Sequence, residues 1–292
     1  LPGWPIPANP MIWVGVLLLA GIAGGEAVNR YLRLPRITGY AAAGLLLGPG
    51  ALSLIGTTLL GELRVFIDIA MGMILFELGQ RIDLRWLRRT PALVLMGVVE
   101  SLCAALAVFF VLRYAFDYAA LPASVGGAIA ASTSPAVVMR VSAELRAEGQ
   151  ITERALILVA INSVLAFVVL TMLLPWVHLE YQGGIASILL HPLYLLAASL
   201  LVAFVAGWIT LRIVAFVGKG AERQYAVVIA MVVLTVGVAV ALKVPVLLAL
   251  LAFGAMVRNL DREHHFLVVD FGRAGQLFYV ILFVVTGAML DL

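Results

Sequence analysis

Ala131-Ser132-Thr133-Ser134-Pro135 interrupts an apolar stretch that otherwise reads as one helix over residues 122–141. Proline lacks an N–H and its ring clashes with the preceding turn, so backbone carbonyls are freed there. Three hydroxyls crowd the same turn. In hydrocarbon, freed backbone is tolerated only where protein or a wet cavity covers it. Discontinuous helices of this kind line ion and substrate sites in transporters. On these five residues alone, the competing reading is a plain proline kink eased by Ser and Thr.

The surroundings place the stretch in a membrane. The chain is 64% hydrophobic and 12% charged, where a soluble domain carries about 25% charged residues. Ten apolar segments read as spans, each near the length a helix needs to cross the hydrocarbon core. They cover residues 11–28, 37–55, 63–79, 91–112, 122–141, 155–177, 192–216, 225–242, 244–257 and 275–290. The expected fold is an all-α polytopic membrane protein. Of nineteen Lys and Arg, all but Arg64, Arg113 and Lys243 fall in the odd-numbered connections. These connections carry Arg30, Arg33 and Arg36; Arg81, Arg85, Arg88 and Arg89; Arg140, Arg146 and Arg154; Arg212, Lys219 and Arg223; and Arg258, Arg262 and Arg273. The positive-inside rule therefore puts the N-terminus outside and the basic loops in the cytoplasm. The same loops account for the net charge of +3, which argues against nucleic acid as a partner and for the lipid bilayer.

Residues 1–10 carry four prolines and read as an extended external tail, with Trp4 and Trp13 near the outer headgroups. No basic region precedes them, so they are not read as a signal peptide. The first residue is Leu1, which suggests missing N-terminal sequence. Cys103 is the single cysteine. It sits inside a span, cannot form an intrachain disulfide, and is expected to fill core space.

The chain also echoes itself. Pro35 and Gly44 in the second span match Pro245 and Gly254 in the ninth, at an offset of 210. The third span ends Gly79-Gln80-Arg81-Ile82-Asp83-Leu84 and the tenth ends Gly287-Ala288-Met289-Leu290-Asp291-Leu292, at an offset of 208. The matched spans start on opposite sides of the membrane, which is the pattern of inverted-topology repeats in secondary transporters. Coincidence among glycine-rich helices is the alternative. A repeat implies counterparts of spans 4, 5 and 6 after residue 292.

Several segments resemble the monovalent cation/proton antiporter superfamily, which includes sodium/proton and Kef-type potassium/proton exchangers. Thr133-Ser134-Pro135 resembles that family's helix break. Leu34-Pro35-Arg36-Ile37-Thr38-Gly39-Tyr40, ending Leu47-Gly48-Pro49, and Leu75-Phe76-Glu77-Leu78-Gly79 are further matches. The resemblance implies a thirteen-span elevator transporter of the bacterial inner membrane, usually a homodimer, carrying Na⁺ or K⁺ with no bound cofactor. It implies scaffold and dimer helices over 11–90 and 225–292, an ion-site core over 91–177, and a linker over 192–216.

One departure stands against these matches. Where the family presents an acidic pair in the sixth span, this chain has Asn162 and Ser163. Their oxygens are able to ligate Na⁺ or K⁺. Neither titrates, so neither can exchange a cation for a proton. With Thr133, Ser134 and Pro135, they form the expected ion-binding set. Glu100, nine residues into the fourth span and about 14 Å deep, and Asp68 in the third span are candidate proton carriers, since an ionisable residue in a span marks a functional position by default. A structural, hydrogen-bonded role is the alternative for both. Glu26 and Glu77 lie near inner ends, within reach of headgroups or arginines.

His264 and His265, beside Arg262 and Glu263, read as a solvated loop pair able to sense pH. His178 and His191 are too far apart to suggest a metal site. No nucleotide loop, nucleophile elbow or metalloprotease motif is present, so an enzyme is not expected. Three functional classes remain: an antiporter with a neutral site, a transport-incompetent scaffold of the same architecture, and a channel or carrier for another solute.

Overall fold

A computed structural model describes residues 10–178, 185–218, 220–261 and 272–290. His264, His265, Arg262, Glu263, Asp291 and the tail before Pro10 lie outside the described residues, as do the side chains of His178 and His191. Regular structure among the described residues is helical. The order is α1 (Pro10–Ala27), α2 (Arg36–Leu47), α3 (Thr57–Gln80), α4 (Leu84–Arg89), α5 (Pro91–Phe110), α6 (Ala120–Ala130), α7 (Pro135–Glu144), α8 (Gln150–His178), α9 (Ile185–Val217), α10 (Ala221–Ala241), α11 (Val246–Leu260) and α12 (Gly272–Ala288). One π-helical turn extends α1 over Val28–Leu32 and another extends α5 over Val111–Ala115.

Among the described residues, six helical stretches are long and apolar enough to cross a bilayer: Ile12–Leu32, Pro91–Ala115, Ala120–Glu144, Gln150–Leu173, Pro192–Val217 and Ala221–Ala241. Val246–Leu260 and Gln276–Ala288 are shorter apolar helices. The second span differs most from expectation. Read as 37–55, it ends at Leu47 after 12 residues. Gly48 is already extended, at φ −73° and ψ 175°, because Pro49 disfavours the helical conformation in the residue before it. The short helix α4 was not expected. Asp83 caps it by accepting hydrogen bonds from the Arg85 and Trp86 amides, at 2.9 and 3.2 Å. Cys103 is exposed, so it does not fill the core as expected.

The chain divides into two compact units. The first comprises Leu1–Met71, Ala143–Leu145 and Phe271–Leu292, and the second Gly72–Ser142 and Arg146–Asp270.

In the first unit, α2 packs against α1 and α12. Contact is made at glycines. A Cβ on Gly44 would meet the Val284 carbonyl and the Ala288 amide, and a Cβ on Gly287 would meet the Ala41 carbonyl. Small residues let backbones approach in this way where lipid tails provide no hydrophobic drive for helices to associate. Glu144 also belongs to this unit. Its side chain is 6% exposed and 3.1 Å from the Arg36 guanidinium. It accepts from the Arg36 amide, at 3.1 and 3.2 Å, and from Asn29 Nδ2 at 3.2 Å. Arg36 reaches Glu26 as well, at 3.1 Å. That hydrogen bond is the main influence raising the Arg36 pKa above its ordinary value; burial opposes it, and the charges of Glu144 and Glu26 add to it.

In the second unit, α5 packs against α6 and α8, α6 against α8, and α9 against α8, α10 and α11. The last turns of α3 meet α11, with the Phe76 and Phe253 rings 4.7 Å apart. Here too the contact is backbone on backbone. A Cβ on Gly254 would meet the Phe76 carbonyl and the Gln80 amide, and a Cβ on Gly79 would meet the Leu251 carbonyl. Asn259 ties the end of α11 to the turn after α3. It accepts from the Leu84 amide at 2.8 Å and donates to the Ile82 carbonyl at 2.8 Å. Buried hydroxyls on apolar helices bond their own backbone: Thr210 donates to Ala206 at 2.7 Å and Thr235 to Met231 at 2.6 Å.

G44V and G254V should each lose at least about 2 kcal/mol in detergent thermal melts, because the added carbons overlap backbone rather than a movable side chain. G237A, where nothing lies within 4 Å, should be neutral or gain up to about 1 kcal/mol in the same melts. E144A should lose about 1–3 kcal/mol by leaving the Arg36 amide and guanidinium short of an acceptor. E144Q should lose less, since an amide oxygen still accepts.

Candidate functional site

The helix over 122–141 is broken where the sequence indicates. The α6 helix closes with the Ala131 amide bonded to Gly127 and the Ser132 amide to Ile129, both at 3.0 Å. Ser132, Thr133 and Ser134 are non-helical, and α7 starts at Pro135. Proline suits the first helical position, since the N–H it lacks would have no partner there. The Ser134 carbonyl accepts from the Val138 amide at 3.2 Å, which starts the new helix. The end of α6 leaves carbonyls without helical partners and the start of α7 leaves amides. Ser132 and Ser134 are exposed and Thr133 is half-buried.

Asn162 and Ser163 lie on α8, 2% and 1% exposed. With its amide oriented to suit its neighbours, Asn162 donates to Ser101 Oγ at 2.9 Å and to the Leu158 and Gly97 carbonyls at 3.2 and 3.3 Å. Gly97 makes this approach feasible, because a Cβ there would sit 2.9 Å from Ile161. Ser163 Oγ donates to the Val159 carbonyl at 2.8 Å. The pair is neutral and has oxygen lone pairs but no negative charge. Asn162 is joined to α5, and its hydrogen bonds do not run to Thr133 or Ser134.

The two candidate proton carriers fall in different units. Asp68 is half-buried on α3 in the first. Glu100 is in the second, on α5 beside the buried Ser101, but its own side chain is exposed. It therefore points away from the face that carries Ser101. Glu26 and Glu77 do find arginines, Arg36 at 3.1 Å and Arg81 at 3.9 Å. Sequence reasoning missed Ser101 as the partner of Asn162 and Glu144 as the acceptor for Arg36. The available signal was a polar residue at an otherwise apolar helix position, which names a candidate but not its partner.

Comparisons with known proteins bear on the family and the fold. The model of the family described as "Sodium/hydrogen exchanger, transmembrane" matches residues 14–292. No curated protein matches the chain. Among solved structures, the sodium proton antiporter MjNhaP1 from Methanocaldococcus jannaschii, determined at pH 8, is similar at 20% identity with a TM-score of 0.72. The match covers 97% of this chain and 71% of that one. Family and neighbour are secondary transporters rather than enzymes. An apolar helical fold shared along nearly its whole length, with six helices among the described residues able to cross a bilayer, makes this an integral membrane protein, and the chain belongs to the transmembrane sodium/hydrogen exchanger family.

Proposed function

We propose that the chain is the membrane domain of a monovalent cation/proton antiporter, exchanging Na⁺ or K⁺ for protons through a neutral ion site. The observation that carries this is the backbone break at Ser132–Ser134 between two helices of one span. Thr133, Ser134, Pro135, Asn162 and Ser163 form the ion-binding set, with oxygens as ligands. Because none of them can hold a proton, Glu100 or Asp68 carries it. The ten spans are the first part of a thirteen-span inverted repeat. Its support is the reciprocal register of two crossings: Gly44 on Val284 and Ala288 corresponds, at offsets of 210 and 208, to Gly254 on Phe76 and Gln80. Gly287 on Ala41 corresponds in the same way to Gly79 on Leu251. The protein forms a homodimer through spans 1–3 and 8–10 in the inner membrane, with its N-terminus outside and its basic loops cytoplasmic. Residues 91–177 form the moving core and residues 192–216 the linker.

One observation favours a second reading, a transport-incompetent scaffold. Asn162 and Ser163 are closed from solvent and bonded to carbonyls and to Ser101, as structural groups would be.

Proton flux in proteoliposomes decides between them. Adding Na⁺ or K⁺ should dissipate an imposed pH gradient, E100Q or D68N should abolish the response, and S163D should raise the rate by about tenfold or more. No cation response from either the natural protein or S163D would reject antiport. A binding measurement separates the readings independently. Antiport expects Na⁺ or K⁺ to raise the melting temperature by mass action. The scaffold reading expects no shift, while N162A costs about 1–3 kcal/mol by removing hydrogen bonds from a buried site.

A further inference from the structure

A cavity lies within the unit that contains α4, α5 and α8. It is a groove of about 440 Å³, in the size range of small-molecule sites. Leu93, Met96, Ala155 and Leu158 form its walls, and Trp86 and Arg154 also line it. The polar side chains among its lining residues are Thr90 and Arg154. Thr90 is already occupied, its hydroxyl donating to the Trp86 carbonyl at 3.0 Å. Arg154 is exposed, and no acid pairs with it among the described residues. Its neighbour Glu153 is taken by Arg81 at 3.0 Å.

The charge beside the groove is one-sided. Helix α4 contributes Arg85, Arg88 and Arg89 as well as Trp86. The acid at its start, Asp83, caps the helix and lies 3.6 Å from Arg258. Leu84 and Trp86 are 43% and 37% exposed, so a short helix between spans presents apolar and cationic side chains together. That combination suits the boundary between headgroups and acyl chains. The walls belong to two helices long enough to cross the bilayer, where a dry apolar groove is met by hydrocarbon.

We propose that this groove is a binding site for an anionic phospholipid: an acyl chain lies along Leu93, Met96 and Leu158, and the headgroup phosphate pairs with Arg154 beside the arginines of α4. Basic pockets between membrane helices on the cytoplasmic side bind anionic headgroups by this combination of contacts. Arginine adds geometric fit, since its planar fork matches phosphate oxygens in pairs. The proposal rests on membrane embedding and on the groove, and stands or falls separately from antiport.

The test reads Trp86 directly. The full chain, with Trp4, Trp13, Trp176 and Trp208 changed to Phe, is placed in nanodiscs containing phosphatidylglycerol or phosphatidylcholine brominated on the acyl chains. Bromine quenches tryptophan on contact. Trp86 should be quenched more by phosphatidylglycerol than by phosphatidylcholine at equal bromine content. R154Q should cut that preference about fivefold, the effect of one arginine near an anionic surface. R154K should keep most of it. Equal quenching by both lipids would mean annular contact only and would overturn the proposal. So would no quenching at all, which is the outcome if another protein segment fills the groove. Native mass spectrometry of the unsubstituted protein provides a second readout. Retained phosphatidylglycerol that falls away in R154Q supports the site, and equal retention in both proteins overturns it.

Discussion

Backbone lies against backbone where α2 crosses α12 and where α3 crosses α11. The Val284 carbonyl occupies the space a side chain on residue 44 would need, and the Phe76 carbonyl does the same for residue 254. In an apolar solvent, burying more apolar surface gains little, since lipid tails are as apolar as leucine. What remains is dispersion at close range and the pairing of polar groups. Both require helices to approach to the limit their side chains allow, and glycine sets that limit lowest.

The same scarcity explains how the polar groups are arranged. Thr210, Thr235 and Ser163 return their hydroxyls to carbonyls four residues back on their own helices, so they need no partner elsewhere. Asn162 cannot do so fully and takes Ser101 from α5. Asn259 and Glu144 act between segments distant in sequence. Each satisfies backbone amides at a helix start, Leu84 in one case and Arg36 in the other. Helix starts leave amides without intrahelical partners, and these two side chains supply acceptors at the points where the chain turns into α4 and α2. The break at Ser132–Ser134 is the exception. Ser132 and Ser134 are exposed and Thr133 is half-buried there, between two helix ends whose backbone groups have no intrahelical partner.

Most helices were legible because each depends on neighbours within a few residues. The apolar runs gave the segments, Pro135 with its hydroxyls gave the break, and Pro91 opens α5 where expected. Errors arose where short-range signals competed. The second span looked long because its apolar residues continue past Gly48-Pro49, yet proline's constraint on the residue before it ended the helix. The six residues of α4 looked like a charged loop because their apolar face is too short to show a period.

Helicity, the insertion of apolar segments into lipid, the broken fifth span and the neutral character of Asn162 and Ser163 could all be read from residue order, because each is a property of a residue and its nearest neighbours. Which polar groups would meet could not. Ser101 and Asn162 are 61 residues apart and Arg36 and Glu144 are 108 apart, and a single sequence contains no term for contacts at that separation. Packing also set the direction of Glu100. One residue from buried Ser101, it is turned by the 100° step of the helix onto the opposite exposure, a difference that depends on where α8 lies and not on the residues beside it.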